Sequence, residues 1–102
     1  MTATGAFPVA AVEAALRGEL LAAVQVEASL RGAVLPANPS AAVFEIDSLV
    51  VVDLLCALEP LMGFEIQEDV VRAGGYDSIE DAVRHLMPTL EREWIKRRRT
   101  AT

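Results

Sequence analysis

Residues 9 to 30, VAAVEAALRGELLAAVQVEASL, place Val9, Val12, Leu16, Leu20, Ala23 and Val24 three or four positions apart, with Glu13, Arg17, Glu19 and Glu27 mostly elsewhere. That spacing, held over many turns, belongs to one face of an α-helix and not to a strand, whose side chains alternate with period two. Pro8 suits the first turn of this helix, and Gly32 offers a stop shortly after its end. The chain is 53% apolar but only 5% aromatic, so Ala, Val and Leu supply the core. Such residues favour small helices packed closely over a sheet, whose strands would be richer in aromatic and β-branched side chains. With 102 residues there is room for one domain with a modest core and not for two. The expectation is a single all-α domain over residues 1–102.

The remainder supplies helices for the first to pack on. RGAVLPANPSAAVFEI, residues 31 to 46, has two prolines, a glycine and an asparagine and no sustained period. It reads as a long loop, pinned by Val34, Leu35, Val43 and Phe44. SLVVVDLLCALEPLM, residues 48 to 62, reads as a second helix with either Asp47 or Ser48 as its cap. Leu49, Val52, Leu55, Leu58 and Met62 form one apolar stripe on it, and Val50, Leu54, Ala57 and Leu61 another. Only Asp53 and Glu59 interrupt them, which implies burial on several sides. Cys56 lies in this run and reads as a buried, inert thiol. Pro60 weakens the last turn, and Gly63 suits its end. One or two helical turns are expected near Glu68 to Ala73, with Val70 and Val71 inward. A last helix then opens with Asp77 as N-cap and Glu80 at the capping-box spacing. Ile79, Val83, Leu86 and Met87 form its inner stripe, Pro88 is expected to kink it, and TLEREWIKRRR resumes as a helical tail. The core is expected over about 9–87, with a basic extension over 88–102.

Three stretches in this order carry a resemblance. IDSLVVVDLLCALEPLMG is similar to the Asp-Ser-Leu that opens the second helix of acyl carrier proteins, the phosphopantetheine-binding superfamily, followed by their Ala-Leu-Glu segment. FEI resembles their apolar-Glu-Ile segment, and YDSIEDAVRHL the start of their last helix. The resemblance covers roughly residues 9 to 87. It implies a four-helix bundle of acyl-carrier type, with three longer helices, one short helix and a long loop between the first and second. It also implies that a phosphopantetheinyl transferase attaches 4′-phosphopantetheine covalently to Ser48. The arm would hold an acyl or aminoacyl group as a thioester for loading, transferring or condensing enzymes of lipid, polyketide or secondary metabolism. Ser48 would then be a tether in a non-catalytic carrier, since no histidine-based pair flanks it and the sole histidine, His85, reads as a surface or boundary residue.

Asp47, Leu49, Val50, Asp53, Ala57, Glu59 and Leu61 would form the partner surface. The chain departs from the family where Glu45 and Ile46 replace the usual Gly-x, where Val50, Pro60 and Leu61 take places common to acids, and at Gln67. These changes lean to a specialised pathway and to apolar docking, with a monomer expected and self-association through the second helix as the variant.

Charge narrows the partners. Residues 1 to 93 hold all fifteen acids and five of the nine bases, a net of −10, so the body repels nucleic acid and suits basic docking surfaces. WIKRRR reads as a solvated basic end, the rival being contact with an anionic membrane or nucleic acid. No His, Cys and acid spacing suggests a metal site. The start of the chain lacks a signal peptide's basic region, and charges interrupt every apolar run, so a cytoplasmic protein with no transmembrane segment is expected. A rival of another class is a carrier-like helical interaction module that never receives the arm.

Overall fold

The computed structural model describes residues 6–32 and 45–100, with side chains described to residue 97. Within them the protein is an all-α bundle: α1 (Val9–Arg31), α2 (Ser48–Cys56), α3 (Glu59–Met62), a 3₁₀ turn (Glu68–Val70) and α4 (Ile79–Thr100). Val34, Leu35, Val43 and Phe44 lie outside the described residues. α1 runs from Pro8 at its N-cap to Gly32, whose left-handed φ of 69° lets its amide bond the Ala28 and Ser29 carbonyls. Val12, Leu16, Leu20, Val24 and Ala28 form its buried stripe, facing α4 and α2.

The expected second helix is broken in two, and Pro60 gives the reason. Without an N–H it cannot bond the Cys56 carbonyl, and its ring disfavours that approach. The chain tightens instead: Ala57 bonds back to Leu54 at 3.0 Å and Leu58 to Leu55 at 2.9 Å, each i to i−3. Pro60 then falls in the first turn of α3, where no amide is missed. Val51, Leu54, Leu55, Leu58 and Met62 are buried; Val52, expected in the core, is only half-buried, because the inward face lies between the two predicted stripes. Cys56 corrects another expectation. It is exposed, with Sγ 3.8 Å from the Val52 carbonyl oxygen.

The turns expected from Glu68 to Ala73 shrink to the 3₁₀ turn, which buries Val70 and half-buries Val71. α4 is continuous through Pro88, with no interruption in its helical span. Pro88 is exposed, so the Arg84 carbonyl that loses an amide partner lies on the solvent side. The core passes residue 87: Leu90 is fully buried, and Trp94 meets Phe7 edge to face at 5.9 Å. Arg97 lies over the Phe64 ring at 5.0 Å, so the basic end begins packed on the body. No helix among the described residues is long and apolar enough to cross a membrane.

Candidate functional site

The site is built where the chain enters α2. Asp47 is extended, at φ −64° and ψ 141°, and its Oδ1 accepts the Leu49 amide at 2.8 Å. Asp47 is therefore the cap, which decides between it and Ser48. Ser48 becomes the first residue of α2, half-buried, and no partner for its hydroxyl occurs among the described residues. A free hydroxyl beside first-turn amides, at the positive end of a helix dipole, is placed to carry an anionic ester. Asp47 and Glu45 are exposed beside it and oppose an anion, so their charges suit a basic protein surface better.

A second segment holds this entrance from beneath. Ile46 and Tyr76 form an antiparallel bridge, the Ile46 amide donating to the Tyr76 carbonyl at 2.7 Å and the Tyr76 amide to the Ile46 carbonyl at 2.9 Å. Gly75, at φ +83°, lies so close that a Cβ there would be 2.0 Å from the Ile46 oxygen and 3.0 Å from the Ser48 nitrogen. Only glycine fits that approach.

Tyr76 is buried, and its phenol accepts the Arg72 amide at 3.0 Å and meets His85 Nδ1 at 2.7 Å. Its burial pushes the phenol up from its ordinary range. The Arg72 guanidinium lies over the Tyr76 ring at 4.6 Å, donates to the Gly75 carbonyl at 3.1 Å and pairs with Asp81. Asp81 also accepts the Asp77 amide at 3.1 Å, and Ser78 Oγ accepts the Asp81 amide at 3.0 Å. Ser78 rather than Asp77 thus caps α4. Glu80, expected in the capping box, turns instead to Arg17 on α1.

The expected partner residues divide among three places. Leu49, Asp53, Ala57 and Leu61 are exposed at helical spacing, with Leu49 73% and Leu61 41% accessible. Cys56 and Pro60 share that exposure. Val50 is half-buried and lines a cleft of about 160 Å³ with Ala23, Val24 and Ile46, edged by Glu27, Arg31, Glu45 and Asp47. Glu59 is half-buried, and its Oε2 accepts the Ile66 amide at 2.9 Å, which fixes the chain leaving α3.

Sequence reasoning missed Gly75, Tyr76, Arg72 and the role of His85. Their only signal was the Gly74-Gly75 pair before an aromatic, which reads equally as a helix stop. No protein-family model, curated protein or solved structure matches the chain.

Proposed function

We propose that this protein is an acyl carrier whose Ser48 bears a 4′-phosphopantetheine arm. The observation that carries the reading is the division of labour at the start of α2: Asp47 caps the helix, and the Ser48 hydroxyl at its first residue has no partner among the described residues. A serine acting as cap would have its oxygen engaged with a backbone amide. In the transfer, Ser48 Oγ bonds the phosphorus of coenzyme A's pantetheine phosphate, its proton passes to a base on the transferase, and the nucleotide half leaves. The bound arm supplies a thiol that holds an acyl or aminoacyl group as a thioester. This chain's residues hold the entrance still, set first-turn amides beside the ester, and offer Asp47, Leu49 and Asp53 to the transferase.

The test is incubation with coenzyme A and a broad-specificity transferase, followed by intact mass measurement. One added phosphopantetheine is expected, and none in Ser48→Ala. An increase that persists in Ser48→Ala refutes the assignment. A wild-type chain that takes no arm leaves the rival interaction module, for which the exposed Leu49 is the supporting observation.

A further inference from the structure

The groups that support Ser48 come from a turn 27 positions away, and that turn is built around a close approach to the chain entering α2. Gly74 and Gly75 both have left-handed φ angles, 87° and 83°. A side chain at either strains the backbone by a similar amount, but their surroundings differ sharply. A Cβ at Gly74 meets nothing within 4 Å, whereas one at Gly75 falls 2.0 Å from the Ile46 carbonyl oxygen and 3.0 Å from the Ser48 nitrogen. Both obstacles are backbone, so no side-chain rotation relieves them. Carbon and carbonyl oxygen approach to roughly 3.3 Å at closest, so the segment entering α2 has to shift by about 1 Å.

We propose that Gly75 is a positioning residue for Ser48. Resting on the carrier reading, this assigns to the Gly75 turn the placement of the hydroxyl that the transferase must align with the phosphorus. Arg72 is the clamp: it holds the Gly75 carbonyl through Nε, covers the Tyr76 ring and pairs with Asp81 at the start of α4. The Ile46–Tyr76 bridge carries that placement to the residue preceding Asp47.

Gly74→Ala and Gly75→Ala form a matched pair, since strain is common to both and displacement belongs to one. With a broad-specificity transferase and coenzyme A, Gly75→Ala should lower kcat by about tenfold or more with KM within about twofold, because a 1 Å misplacement of a reacting group costs up to roughly 100-fold. Gly74→Ala should leave both constants within about twofold. The Ser48 and Leu49 amide resonances should move in Gly75→Ala and stay in Gly74→Ala. Equal effects of the two substitutions, or a Gly75→Ala change confined to KM, overturn the proposal.

If Gly75→Ala does not fold, Arg72→Ala decides: Arg72 is exposed, and its loss frees the Gly75 carbonyl. A kcat at least threefold lower at constant KM then supports positioning, and an unchanged kcat overturns it. Absence of transfer to the wild-type chain refutes the carrier reading instead. The amide resonances then judge the placement alone, a shift in Gly75→Ala or Arg72→Ala but not in Gly74→Ala supporting it and any other pattern overturning it.

Discussion

Asp47 serves α2 through one oxygen and keeps its charge exposed, and the two features separate by substitution. Asparagine keeps an acceptor at the cap without the charge, while alanine removes both. Asp47→Asn should leave stability within about 0.5 kcal/mol of wild type, and Asp47→Ala should lower it by roughly 1 kcal/mol, as caps typically do. Urea denaturation of the three proteins measures this. If charge rather than capping governs recognition, both variants lose transferase affinity equally despite their different stabilities. Leu55 illustrates the opposite kind of residue, since it is 2% exposed and meets only the core. Leu55→Ala should cost on the order of 2 to 5 kcal/mol. A loss below about 0.5 kcal/mol would be incompatible with that burial.

At the scale of elements, periodicity was legible wherever one face alone is apolar. Val12, Leu16 and Leu20 on α1 and Ile79, Val83 and Leu86 on α4 are all buried as their spacing predicts. α2 was not legible in the same way, because Leu49, Val50, Val51, Val52 and Leu54 are apolar on every side and no period selects among them. The Ser48 region was recognisable as a helix start, but the choice of Asp47 as cap depends on which side chain reaches the Leu49 amide. The Gly75 turn depends on a contact remote in sequence, which no local pattern reports. The ion pairs joining elements give a pH prediction. Glu80 is held below its ordinary value of 4.5 by the Arg17 guanidinium, and Asp81 below 3.8 by the Asp77 amide and then by Arg72. The unfolded chain therefore binds these protons more readily. Their contribution to stability is complete above those ordinary values and disappears as pH falls through the lower folded ones. Both carboxylates are partly exposed, so the effect is small. Tm measured below pH 4.5 should fall more steeply for wild type than for the Glu80→Gln, Asp81→Asn double variant. Parallel curves would mean that these pairs make no net contribution.

The described residues extend over 50 × 26 × 19 Å, and across the whole molecule the charge is divided along the sequence, with a strongly acidic body and four consecutive bases at positions 96 to 99. On that acidic body the exposed side of α2 and α3 is an exception. Leu49, Ala57 and Leu61 are exposed there with Asp53 among them, while Val50 turns toward α1 and Glu59 is engaged by the Ile66 amide. A partner docking on this face meets more apolar surface than charge. Attraction between exposed charges is screened over roughly 10 Å at 0.1 M salt and over about 30 Å at 0.01 M, whereas apolar contact escapes that screening. On the proposed carrier reading, KM for the chain as transferase substrate should therefore change by less than about threefold between those two salt concentrations, a threefold change being roughly 0.65 kcal/mol. Leu61→Glu and Leu49→Ala should each raise KM by roughly tenfold, since covering a leucine side chain is worth about 1.5 to 3 kcal/mol and 1.4 kcal/mol is tenfold. Neither substitution touches the core, so Tm should stay close to wild type. If KM instead climbs steeply with salt and both substitutions are harmless, the transferase is reading Asp47 and Asp53. The exposed leucines would then be ordinary solvent-facing apolar residues, of the kind any small helical bundle carries.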